Sequence, residues 1–340
     1  MFCVIILVNG GIIMIKYAII GSSRITDSFI KGTELIDGLE LVGVYSRSID
    51  RAIKYGKQFG ASLFFDSLED LAKCDQIDAV YIASPNSCHY EQSKLMLSHG
   101  KHVICEKPIT VTAEQFRDNR KLAKEKGLIY IDAIISMHQP QLQLVLNNIQ
   151  KLGRICGARF DFSRISAKYN ECMSGELVNI FNPKMATGTL MDLGIYTVYP
   201  AIKFFGKPLE ILSSAAFMHT GADCSGSSIL KYADKTITLT YAKTGTSYMG
   251  SDIYGDLGTL HFDSISQMTS ISFIDLEGNT TEIYGVDEKH ILMSREAADF
   301  VKYITEPKKY HNEYEEISDL TESVLEVLDE IRLKSNINFD

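Results

Sequence analysis

From Ile15 onward, short apolar runs alternate with stretches of helical periodicity. Ile15 to Ile20 (IKYAII) and Leu39 to Tyr45 (LELVGVY) read as strands of a buried sheet, followed by Asp78 to Ala83 (DAVYIA) and His102 to Cys105 (HVIC). Between them, Asp50 to Phe59 and Glu91 to Ser98 are amphipathic, as surface helices are. Strand and helix alternating at this spacing imply parallel strands joined by right-handed crossovers. The pattern predicts a doubly wound α/β (Rossmann) domain over residues 14–135.

Beyond about Asp132 the period changes. Ala158, Phe160 and Phe162 alternate with Arg159, Asp161 and Ser163, and Ile237, Leu239 and Tyr241 alternate with threonines. A period of two predicts antiparallel strands with one face wet or in an interface. Gly255-Asp256 and Glu277-Gly278-Asn279 supply turns, and Glu313 to Leu333 reads as a closing helix. Residues 136–340 are therefore expected to form a C-terminal α+β domain with a large, mainly antiparallel open sheet.

The first residues stand apart. Phe2 to Val8 is apolar, but it lacks a basic leader and is far shorter than the roughly 20 residues of a membrane span. Residues 1–13 read as an upstream extension, with Met14 the natural start.

Composition narrows the function classes. A length of 340 residues suits two domains, and 45% hydrophobic with 23% charged residues is ordinary for globular protein. The net charge of -9, with no basic cluster, argues against a nucleic-acid partner, and nothing suggests a membrane partner. Seven scattered cysteines and eight histidines show no zinc spacing, so no metal is expected; the thiols read as reduced and cytoplasmic.

The chemistry lies at strand ends. The first strand runs into Gly21-Ser22-Ser23-Arg24-Ile25-Thr26, where a G-x-G-x-x-G turn would place dinucleotide pyrophosphate on a helix N-terminus. Only the first glycine is kept, but Ser23 and Thr26 are small, and Arg24 adds charge. Gly21, Ser23, Arg24 and Ile25 are the candidate phosphate-side residues. The second strand ends in Tyr45-Ser46-Arg47 with no acid to bind a ribose 2′-hydroxyl, so Ser46 and Arg47 favour NADP over NAD. Two further loops follow buried strands, Ala83 to His89 and Glu106-Lys107-Pro108.

Three motifs carry a resemblance: Ser84-Pro85-Asn86-x-x-His89, GKHVICEKP at 100–108, and Gly188 to Tyr196 (GTLMDLGIY). In these the chain resembles the Gfo/Idh/MocA oxidoreductases, nearest in motif to the dimeric dihydrodiol and NADP-dependent xylose dehydrogenase branch. The resemblance implies that Lys107 reaches the nicotinamide and the reacting substrate oxygen, and that its bond to Pro108 is cis. It places Ser84, Pro85, Asn86, His89 and Glu106 on the nicotinamide side. It makes Asp192 and Tyr196 a substrate-side pair, which at i, i+4 share one helix face. It further implies a small hydroxylated substrate (sugar, polyol or vicinal diol) and a homodimer or higher homo-oligomer.

Hydride transfer from a carbinol needs a proton acceptor, and the reverse reaction needs a donor. Either Lys107 or Tyr196 can fill that role, the lysine directly or by lowering the tyrosine pKa. The eroded glycine fingerprint supports a competing reading, a catalytically inactive NAD(P)-sensing regulatory protein.

Overall fold

The computed structural model describes residues 13–285 and 289–339; the expected extension at 1–13 falls, apart from Ile13, outside them. The chain divides into two compact units. One takes the chain to Ile135 and returns for Glu288–Asp319; the other takes Ser136–Asp287 and Leu320–Asp340.

In the first unit strands and helices alternate as β1 (Ile15–Ile20), α1 (Arg24–Thr33), β2 (Leu39–Tyr45), α2 (Ile49–Gly56) and β3 (Leu63–Phe65). They continue as α3 (Leu68–Lys73), β4 (Ala79–Ile82), α4 (Asn86–Ser98), β5 (His102–Glu106), α5 (Ala113–Lys126) and β6 (Tyr130–Ala133). The strands form one six-stranded sheet in the order β3-β2-β1-β4-β5-β6, and every pairing is parallel. Lys16 is the one exposed residue of β1, and all of β4 is buried, which explains the unbroken apolar runs. Strand order reverses beside β1, so the carboxyl ends of β1 and β4 flank the crevice where such sheets bind ligands. Two strands had gone unnamed in the sequence. Leu63–Phe65 is only three residues long, and Tyr130–Ala133 carries the buried Asp132 in an otherwise apolar stretch.

The second unit contains α6 (Pro140–Asn148), β7 (Ile155–Ser163), α7 (Tyr169–Met173), α8 (Ile195–Phe205), β8 (Glu210–Phe217), β9 (Asp223–Lys231) and β10 (Thr236–Ala242). Then come β11 (Ser251–Gly255), β12 (Gly258–Phe262), β13 (Ser270–Ile274) and β14 (Thr280–Gly285). Its eight-stranded sheet has the order β14-β13-β12-β11-β7-β10-β9-β8 and is antiparallel except where β10 lies parallel to β7. The period of two is realised: Ile237, Leu239 and Tyr241 are fully buried while the intervening threonines face the other side. That other side carries exposed Leu212, Ile229 and Tyr254.

Two helices close the chain, α9 (Lys289–Thr305) and α10 (His311–Lys334). Residues 136–340 are not one unit, as the sequence pattern suggested. Met293, Ala297, Phe300 and Tyr303 of α9 pack into the Rossmann core with Phe29 and Ile30 of α1. The first turns of α10 stay there too, with Arg120 bonded to Glu315 at 2.7 Å and Asp319 at 2.6 Å. Its later turns serve the second unit, where Thr321 meets Tyr199 at 3.1 Å and Ser335 meets Ser213 at 2.7 Å. No low-complexity linker announces this return in the sequence.

Phe300 is 1% exposed inside the Rossmann core. Phe300→Ala is expected to cost about 3–5 kcal/mol in urea unfolding through transfer and cavity terms. A loss below about 1 kcal/mol would show that α9 is not part of that core.

Candidate functional site

Gly21 ends β1 with φ +110°, and a Cβ there would lie 2.4 Å from the Ala83 carbonyl oxygen. Only glycine lets the ends of β1 and β4 come this close. The next two fingerprint places are filled without loss of the turn. Ser23 stands at the N-cap of α1, and its N–H donates to Thr26 Oγ1 at 3.3 Å. Thr26 is buried, so a small β-branched residue replaces the third glycine by capping the helix from within. The first-turn N–H groups of Arg24 and Ile25 have no carbonyl of their own helix to bond, while Ser22, Ser23 and Arg24 are exposed around them. The turn therefore suits a dinucleotide pyrophosphate. Past β2, the Ser46 N–H bonds the Phe65 carbonyl at 3.0 Å, and Arg47 is exposed.

The loops beyond β4 and β5 are tied together. Pro85 caps α4, Ser84 Oγ donates to Gln92 Oε1 at 2.6 Å, and Ser84, Pro85 and Asn86 are half-buried. His89, one turn further, is 1% exposed, with Nδ1 2.9 Å from the Pro108 carbonyl and Nε2 2.8 Å from the Ser84 carbonyl. Burial lowers its pKa against the pull of both carbonyls, and nearby Lys107 lowers it further. His89 is thus a strut between the two loops.

The Lys107–Pro108 bond is cis. Glu106 is buried, and Tyr81 on β4 donates to its Oε1 at 2.6 Å. Burial first, and Glu106 beside it, push the Tyr81 phenol well above its ordinary value, so it stays a donor. Lys107 is half-buried and follows directly on the carboxyl end of β5. With Glu106 held on one side and Pro108 on the other, its backbone sits on a braced turn.

Asp192 and Tyr196, which the motif resemblance assigns to the substrate side, belong to the second unit. Leu190–Gly194 forms a π-helical turn that runs straight into α8, with the Ile195 N–H reaching the Leu190 carbonyl five residues back. Such turns are rare and recur at functional sites. Tyr196 is 9% exposed, and its ring stands edge-on to Phe162, centroids 5.5 Å apart.

Asp192 forms an ion pair with Lys243, whose side chain is 7% exposed. Sequence reasoning missed Lys243, although a signal was present. It continues the inward series Ile237, Leu239, Tyr241 one residue past the end of β10, a lysine where the alternation calls for an apolar side chain. Asp223 was missed as well. Its Oδ2 accepts from the Leu190 N–H at 2.6 Å and its carbonyl from Thr189 Oγ1 at 3.1 Å. Burial pushes the Asp223 carboxyl up to about 6, against the hydrogen bonds and Lys243.

Residues 15–133 match the family described as "Oxidoreductase family, NAD-binding Rossmann fold". The chain is also 34% identical over 295 residues, 87% of its length and 90% of the relative's, to scyllo-inositol 2-dehydrogenase (NADP(+)) IolU of Bacillus subtilis. The chain belongs to the Gfo/Idh/MocA family. This family member is an oxidoreductase that binds NAD(P). A trans-1,2-dihydrobenzene-1,2-diol dehydrogenase of Mus musculus is 29% identical over 227 residues, 64% of this chain and 65% of its own. Among solved structures, the 3-ketoreductase KijD10 of Actinomadura kijaniata in complex with NADP and TDP-benzene aligns with TM-score 0.82 at 21% identity, over 95% of this chain and 98% of its own. An aldose-aldose oxidoreductase of Caulobacter crescentus aligns with TM-score 0.81 at 18% identity over the same shares. These two show a shared fold. Nothing among the relatives favours the inactive regulatory reading.

The Asp223 shift makes a stability prediction. A folded-state value near 6 exceeds the unfolded value near 3.9, so above pH 6 the fold holds an ionised carboxylate at a cost. That cost fades as pH falls through 6 and is gone below about 4. Asp223→Asn is therefore expected to be more stable than wild type at pH 7.5, by up to about 3 kcal/mol, the difference closing near pH 4. Urea unfolding at the two pH values checks it; a variant less stable than wild type at pH 7.5 contradicts the assignment.

Proposed function

We propose that the chain is a cytoplasmic, homodimeric, NADP-preferring dehydrogenase or reductase that acts on a small hydroxylated substrate: a sugar, a cyclic polyol or a vicinal diol. The observation that carries the reading is Lys107 on its braced turn just past β5, one strand from the β1/β4 crevice. The names of the relatives, an inositol dehydrogenase and a diol dehydrogenase, support the substrate class.

The bound nicotinamide would accept or return a hydride at a carbinol carbon. Gly21, Ser23, Arg24 and Ile25 hold its pyrophosphate, where first-turn N–H groups meet negative charge. Arg47 and Ser46 take a ribose 2′-phosphate, which suits a guanidinium and favours NADP. Ser84, Pro85, Asn86 and Glu106 line the nicotinamide side, and His89 fixes the spacing of the two loops that carry them. Either Lys107 Nζ or Tyr196 Oη exchanges the substrate hydroxyl proton, the other group orienting the substrate or tuning the carrier. Asp192, charge-balanced by Lys243, accepts hydrogen bonds from the substrate and holds it in register.

All six cysteines among the described residues are free, in keeping with a reducing compartment. The sheet face with Leu212, Ile229 and Tyr254 exposed is the surface we assign to the dimer. Sedimentation should give twice the 38.0 kDa of the chain, and a monomer at micromolar concentration would refute the dimer.

Cofactor reduction should be measured with NAD and NADP against aldoses, inositols, vicinal diols and 2-keto sugars. Turnover with one of these classes and a lower KM for NADP are expected; no turnover with any class refutes the reading. Lys107→Met should bind cofactor with little change yet lose turnover by a factor on the order of 100–10,000. A comparable fall in kcat for Tyr196→Phe identifies the tyrosine as the proton carrier. A rise in KM with kcat kept assigns the proton to Lys107.

A further inference from the structure

The segment that presents Asp192 and Tyr196 is held at its start by a residue far from it in sequence. Gly188 opens the motif, and a Cβ built there would stand 1.8 Å from Asp223 Oδ1, so this carboxylate oxygen lies against the Gly188 backbone. The other oxygen accepts from the Leu190 N–H at 2.6 Å, and the Asp223 carbonyl accepts from Thr189 Oγ1 at 3.1 Å. Gly188, Thr189 and Leu190 are thus each in contact with one residue, immediately before the π-helical turn begins.

The contacts then close into a ring. Beyond Leu190, Asp192 pairs with Lys243. The Lys243 N–H returns to the Cys224 carbonyl at 2.9 Å, one residue from Asp223. The start of the turn and its charged side chain are therefore both anchored to the first residues of β9. The groups facing Asp223 are Lys243, with Asp192 behind it, and Tyr241 on the same strand as the inward series.

We propose that Asp223 is a positioning residue for the reaction: by gripping Gly188, Thr189 and Leu190 it fixes the π-helical turn and so sets where Asp192 and Tyr196 stand. The proposal rests on the function proposed above for Asp192 and Tyr196. It also accounts for the chemistry at the opening of the motif. Gly188 is required because any side chain would meet Asp223 Oδ1. Asp223 is fully buried, with Oδ1 making no hydrogen bond within the described structure, a placement that fold stability alone disfavours. Retaining an ionisable group under those conditions is what a site trading stability for geometry does.

The test compares Asp223→Ala, Asp223→Asn, Gly188→Ala and the double variant Gly188→Ala/Asp223→Ala. Amide hydrogen exchange of residues 188–197 is read beside kcat, substrate KM and NADP(H) affinity. Asp223→Ala should lose exchange protection in that segment but not at the Rossmann turn around Gly21, keep its cofactor affinity, and lose kcat on the order of 10–100-fold. Asp223→Asn, whose amide oxygen still accepts from Leu190, should restore protection and most of kcat. Gly188→Ala should resemble Asp223→Ala, and the double variant should be no worse than either, because the added methyl then has room. Unchanged protection in Asp223→Ala, or losses that multiply in the double variant, would overturn the proposal. Exchange is read without turnover, so a wild-type chain inactive on every substrate would refute the proposed function and leave this test standing.

Discussion

A strand buried on both faces can carry a polar group only where a partner waits inside the core, and that constraint organises the molecule. In the Rossmann sheet β4 is wholly buried, so polar chemistry is pushed to the points where strands stop. Gly21 follows β1, Ser46 and Arg47 follow β2, Ser84 follows β4, and Lys107 follows β5. The antiparallel sheet obeys the same rule in its own way. Lys243 keeps the inward phase of β10 but comes one residue after the strand ends, where an ion pair with Asp192 can satisfy it. The candidate positions thus lie where the chain can tolerate charge.

Three carboxylates near the candidate residues are satisfied in three ways. Glu106 accepts a phenol from Tyr81, Asp192 takes an ammonium from Lys243, and Asp223 takes backbone N–H and gives up ordinary acidity. A buried phenol is a fixed neutral donor, whereas an ion pair can exchange with a charged or hydroxylated ligand. The partner chosen therefore separates a carboxylate that braces a turn from one that can meet substrate.

The fold class was legible because both periodicities are strong: IKYAII and DAVYIA hold unbroken apolar runs of four or five residues, and the threonine alternation of β10 admits one wet face. The short β3 was not, since three residues do not separate a strand from a loop, and β6 went unnamed because Asp132 interrupts its apolar run. The return of α9 to the first unit was hidden for another reason. Its buried face tells that it packs, but not against which core. Motif residues were visible as local strings, whereas Lys243 and Asp223 act through partners some 30–50 residues away in sequence, a relation that only the sheet registers create. The glycine fingerprint misled in one respect: its missing glycines suggest erosion, yet Thr26 rebuilds the turn as a cap.

His89 has a bearing on how this scaffold can be altered. Because its two ring nitrogens sit between carbonyls of the Ser84 and Pro108 loops, those loops behave as one mechanical part. Grafting either loop from a relative with a different length would move one carbonyl away from the ring and break the spacing the histidine sets. The Ser84 and Pro108 loops can therefore be exchanged only as a matched pair that brings its own histidine.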